Sequence, residues 1–153
     1  MKKALLSAAL LATGTGLGAV LAAHHSPEHE VVLPAKISKE DMGGKIFERP
    51  DTITRTNGGN TIQDVTSLLS SDKKFASGMY KSGKVRFEAT DPYGVDEFMY
   101  FLEGGVRLTS ADGSVQVINA GEAVTIPKEW TGVWDTDGYT KIWVIYSEDG
   151  SGL

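Results

Sequence analysis

The residues of this 153-residue chain best suited to chemistry are few and unevenly placed. All three histidines, His24, His25 and His29, fall in one short polar stretch. If processing leaves Ala23 first, the mature chain begins Ala23-His24-His25, with histidine third. A free amine, two deprotonated amides and that imidazole form a square-planar set suited to Cu(II) or Ni(II), and His29 could add a ligand. Cleavage one residue later removes this geometry, and the plainer reading of the stretch is a polar spacer. The chain has no cysteine. Thiolate chemistry, disulfides and a lipid anchor on an N-terminal cysteine are therefore excluded. No histidine follows His29, so no imidazole can serve a site further along.

The segment ahead of the histidines reads as an export signal over residues 1–22. Met1-Lys2-Lys3 is a short basic start and residues 4–12 are apolar. Glycines break residues 13–18, and Val20-Leu21-Ala22 offers modest or small residues for cleavage. An uncleaved membrane anchor is the alternative, because apolar or small residues run from 4 to 23, about a bilayer's span. The glycines and the His/Glu/Pro segment that follows favour cleavage, and so a periplasmic or secreted protein. Membrane contact would then come only through an uncleaved signal. Cleavage removes two lysines and no acid, moving the formal net charge from −5 to −7. Such a surface repels phosphate backbones and no Lys/Arg cluster opposes it, which excludes nucleic acid as a partner.

The remaining elements point to an all-β chain with one domain. Residues 23–44 read as a polar lead with an edge strand at 31–37, where Pro34 limits pairing. Residues 45–47 read as a short strand. Residues 49–74 read as a long surface loop with at most one helical turn, carrying the turn signal Asn57-Gly58-Gly59-Asn60. From Phe75 the pattern becomes regular. Residues 84–89 alternate polar and apolar, as a half-exposed strand does. Residues 96–102 are apolar on both faces and read as a strand buried on both. Glu103-Gly104-Gly105 reads as a turn, 106–109 as the returning strand, and Asp112-Gly113 as a hairpin turn. Strands at 115–118, 123–126, 132–134 and 141–146 complete an all-β sandwich or barrel.

Two segments then carry a family resemblance. Asp96-Glu97-Phe98-Met99-Tyr100-Phe101-Leu102-Glu103-Gly104 resembles the end of the first cupin motif. Ala120-Gly121-Glu122-Ala123-Val124-Thr125-Ile126-Pro127 resembles the second. Ser77-Gly78-Met79-Tyr80, Gly83, Trp130-Thr131-Gly132-Val133-Trp134 and Lys141-Ile142-Trp143-Val144-Ile145 sharpen the likeness. They resemble the branch holding ureidoglycine aminohydrolase and the small ethanolamine-utilisation cupins. The resemblance covers residues 75–146 and implies a single-domain jelly-roll β-barrel over 45–153. It also implies a ligand pocket inside the barrel, and a homodimer in many members.

Many cupins hold a divalent metal with two histidines and a glutamate from the first motif and a histidine from the second. Here the glutamate position falls on Glu97, and the histidine positions fall on Asp91, Tyr93 and Gly132. Without imidazoles, two carboxylates and a phenol are a poor cage, so any divalent metal would be weakly held and no cofactor is expected. Strand alternation from Glu97 turns Met99 and Phe101 inward, with Asp91 and Tyr93 at the approach. Trp134, and with it Trp130, falls on the equivalent side of the second motif. Glu97 is then either a structural carboxylate bonded to Tyr93 or an indole, or a general acid/base with Tyr93 beside it. The tryptophans are either core or a stacking wall. Three functions follow as expectations. The first is an exported small-molecule-binding cupin contacting its ligand through Glu97, Tyr93, Asp91, Trp134, Trp130, Met99 and Phe101. The second is an aminohydrolase-like enzyme using Glu97 on a small polar substrate. The third is a copper or nickel binder through His24, His25 and His29.

Overall fold

The computed structural model describes residues 31–153. The leader and the histidine cluster His24, His25 and His29 lie outside the described residues. The body comprising residues Pro34–Leu153 contains one short helix and eight strands. The helix α1 (Lys39–Met42) is started by a reciprocal cap. The Asp41 N–H donates to Ser38 Oγ at 3.1 Å, and the Ser38 N–H donates to Asp41 Oδ2 at 2.8 Å. A 3₁₀ turn follows at Lys45–Glu48.

The strands are β1 (Ile53–Asn57), β2 (Asn60–Leu69), β3 (Phe75–Ser82), β4 (Val85–Ala89), β5 (Asp96–Ser110), β6 (Val115–Asn119), β7 (Ala123–Ile126) and β8 (Gly132–Tyr146). All described pairings are antiparallel, in the order β1-β2-β3-β8-β5-β6, with β4 also on β8 and β7 also on β5. β5 and β8 pair from Asp96↔Tyr146 to Ser110↔Gly132, and two register shifts bend them midway. Their far edges therefore change neighbour. β8 holds β4 along its first half and β3 along its second, while β5 holds β7 and then β6. This switch rolls the sheet into an all-β jelly roll. Gly104 sits at the bend with φ +66°, where a Cβ would come within 2.0 Å of the Gly138 carbonyl oxygen. Only glycine accepts both conditions.

Inside the roll, Met99, Phe101, Val106, Leu108, Ile118, Ile126, Trp134 and Tyr139 form the main core. A second cluster lies on the outer face of the sheet. There Val65 and Met79 are covered by Ile46 of the 3₁₀ turn, with Ile37, Met42 and Phe47 packed around them.

Several local expectations are corrected. Residues 49–74 are not a loop, since β1 and β2 form a hairpin there whose turn is Gly58-Gly59. β1 is exposed along its whole length, so no apolar alternation marks it. Residues 31–38 form no strand, and 45–47 lie in the 3₁₀ turn. Glu103-Gly104-Gly105 is a bend within one continuous strand. Residues 96–102 are not buried on both faces, because Phe98 and Tyr100 are 43% and 37% exposed.

Candidate functional site

One row of cross-strand neighbours positions the site. Ile53, Asp64, Tyr80, Lys141 and Phe101 lie side by side across β1, β2, β3, β8 and β5. Paired residues share a face, so register alone puts these side chains on the inner surface. The next inner row holds Thr66, Gly78, Trp143 and Met99. Gly78 is there because a Cβ would meet the Trp143 ring at 2.5 Å and the Val65 carbonyl oxygen at 2.0 Å. The indole lies flat across β3 where a side chain would otherwise stand.

Most residues of these rows line a cavity of about 470 Å³, to which Arg55, Phe87, Tyr93, Glu97, Trp134 and Tyr139 also contribute. At its depth lies an ion pair. Lys141 leaves β8 opposite Phe101 and runs back along β5. Its Nζ is 2.9 Å from Met99 Sδ and donates to Glu97 Oε1 at 2.7 Å. Both side chains are about nineteen-twentieths buried, at 6% and 5% exposure. Tyr93 Oη donates to the other carboxylate oxygen at 2.5 Å. Both oxygens of Glu97 are thus engaged. The ammonium also lies 5.4–5.7 Å from the ring centres of Trp134, Tyr80 and Tyr139, within cation–π range.

Burial, then the Glu97 charge, pushes the Tyr93 hydroxyl well above the ordinary phenol range, which keeps it a donor. Burial also pushes the Tyr139 hydroxyl well above that range and, with Asp64 nearby, raises that of Tyr80. Asp64 accepts from Trp143 Nε1 at 3.2 Å, and burial raises its carboxyl above the usual value.

The expected site residues divide. Glu97, Tyr93 and Trp134 line the cavity. Met99 and Phe101 point inward but are fully buried beneath it, in the core. Asp91 is exposed and Trp130 half-buried, and both lie outside the cavity lining. The loop before β5 turns Asp91 outward while the Tyr93 N–H donates to the Trp130 carbonyl at 3.0 Å. Trp130 Nε1 donates to Ser110 Oγ, and its ring meets Tyr93 edge-on, so it props the phenol from behind. Asp96 accepts from the Lys128 N–H and ties the same loop.

Lys141, Tyr139, Tyr80 and Asp64 were not among the expected residues. Lys141 did carry a signal, as a lone cation two residues from Trp143 in an apolar strand, hence on the same face. Asp64 and Tyr80 carried none, because their place depends on the register of β2 on β3.

The donor set does not fit the divalent metal of the resembled family. The Lys141 ammonium already neutralises the metal-motif glutamate, and a cation beside it would meet like charge. The second-motif position, Gly132, has φ +152°, and its Cβ would lie 2.2 Å from the Thr109 carbonyl oxygen. A histidine has no room there. Among the described residues no three of His, Cys, Asp or Glu converge.

Comparison with known proteins agrees with this architecture. The family model described as EutQ-like cupin domain matches residues 69–141. The structure of the EutQ protein of Clostridium difficile is similar with a TM-score of 0.52 at 21% identity, over 65% of this chain and 78% of that one. A protein of unknown function of the DUF861 family from Pseudomonas syringae gives a TM-score of 0.56 at 16% identity, over 61% of this chain. The alignment spans 43% of the Pseudomonas protein. A search of curated proteins finds no match.

Proposed function

We propose, for a chain that belongs to the cupin superfamily, that it is an exported protein binding a small molecule inside the barrel. The observation that carries this reading is the cavity of about 470 Å³ with a satisfied ion pair at its depth and aromatic walls. Aromatic walls around convergent polar and charged groups are a combination that small-ligand sites share. The buried pair and its phenol partner are held in place before any ligand arrives, which lowers the ordering cost of binding. The basic start, apolar run and glycine break over residues 1–22 support export to the periplasm or outside the cell.

An aminohydrolase-like reaction has less support. Glu97 would have to release Lys141 or Tyr93 before either oxygen could take a proton from a substrate.

The test is a melting-temperature screen of the full mature chain against a metabolite library, repeated on Phe87→Ala. Phe87 is 44% exposed and lines the cavity, so its truncation removes ligand contact without opening the core. A rise in melting temperature that Phe87→Ala reduces is expected. No rise with any compound overturns the reading. Trp134 is the wrong probe, since at 2% exposure it holds the core together.

A further inference from the structure

We propose that the ligand of this cavity is a small carboxylate carrying a flat apolar group. The inference rests on the binding reading above and names its chemistry. Four side-chain hydrogen bonds are made among the described lining residues and the Met99 floor: Tyr93 to Glu97, Lys141 to Glu97, Lys141 to Met99, and Trp143 to Asp64. The acceptors are therefore mostly committed. Glu97 has used both oxygens, and Asp64 already accepts from Trp143 Nε1.

Donors are left over. The hydroxyls of Tyr80 and Tyr139 have no partner among the described residues. Trp134 Nε1 is buried without one. Lys141 has three protons, one on Glu97, one on a sulfur that accepts weakly, and a third uncommitted. Its ammonium sits against the same three rings, 5.4–5.7 Å from their centres. A cation among neutral donors suits a group that only accepts, and a carboxylate offers two oxygens with several lone pairs. Above it, Phe87 and Trp134 lie nearly parallel, 13° apart with centroids at 6.0 Å, and supply a flat apolar wall. An amine would face Lys141 and a second lining cation, Arg55, and would meet Asp64 already accepting from Trp143 Nε1.

Isothermal titration of the full mature chain with benzoate, benzamide and benzylamine tests this. Benzoate should bind, benzamide should be at least about tenfold weaker, the loss expected of one charge-assisted hydrogen bond, and benzylamine should not bind. Tyr80→Phe should weaken benzoate severalfold. Glu97→Gln/Lys141→Met removes both charges together, so that neither is left buried alone, and should erase the preference for benzoate over benzamide. Benzamide or benzylamine binding as tightly as benzoate overturns the carboxylate inference and leaves cavity binding standing. So does a benzoate preference that survives the double variant or ignores Tyr80→Phe. Failure of all three compounds also overturns the inference, while the binding reading is decided separately by the metabolite screen.

Discussion

Lys141 and Glu97 are 44 residues apart in sequence and joined by a 2.7 Å contact inside the barrel, with almost no solvent on either. The lysine balances the charge of the metal-motif glutamate with a cation that the chain itself carries. A pair of this kind is weak evidence for stability, since desolvating both charges offsets much of their attraction. Removing one partner is a different matter, because it strands the other.

Lys141→Met should therefore cost about 3–5 kcal/mol of unfolding free energy, and Glu97→Gln should fall in the same direction. The double variant should recover most of that loss. Urea unfolding of the wild type and the three variants gives the coupling directly. A double variant as unstable as the sum of the singles would mean that the two residues do not act as a pair.

Asp64 predicts a pH signature. Burial raises its carboxyl in the folded state, so folding favours the protonated form. Its favourable contribution is complete below the ordinary value of 3.8 and is lost as pH rises through the raised value. At neutral pH the buried charge opposes folding. Asp64→Asn, which keeps an oxygen for Trp143 Nε1, should melt higher than the wild type near neutrality. The difference should close as pH falls below about 3.8. A difference that does not vary with pH would assign the effect to something other than this charge.

Gly78→Ala tests the close passage of Trp143 over β3. The added methyl would meet a backbone oxygen at 2.0 Å and the indole at 2.5 Å. Overpacking of this kind costs about 1–3 kcal/mol, and the upper end or beyond is expected because one obstacle is backbone. Chemical denaturation should show the loss. Near-ultraviolet circular dichroism should show the tryptophan environment altered.

Gly132→His would place imidazole at the second-motif position. The structure predicts that it fails to create a metal site, since the left-handed φ and the Thr109 carbonyl oxygen both oppose a side chain. The variant should be less stable and should take up no more Mn(II) or Zn(II) than the wild type, by metal analysis after dialysis. A folded variant with stoichiometric metal would overturn this account of the position.

Much of the barrel was legible from residues 75–146 because each strand there signals itself locally. Alternation, glycine turns and the two motifs need no knowledge of what lies opposite. Glu97 and Tyr93 were legible for the same reason, being four residues apart on one segment. β1 and β2 were not, apart from their turn. β1 is an exposed edge strand with no buried residue, so although Ile53 and Arg55 face the cavity, no apolar alternation marks it.

The sequence by itself determined that the chain is an all-β roll with cupin motifs, no thiols and no imidazole beyond His29. It also determined that Met99 and Phe101 face inward with Glu97, because strand parity is a local rule. Only the tertiary structure decided what Glu97 meets. The register of β8 on β5 and of β3 on β8 brings Lys141 and Tyr80 to that face, and β2 adds Asp64. A slip of one residue would turn each to the other side. Register is set by the fit of the whole sheet, so the ion pair at the site belongs to the fold and to no single segment of it.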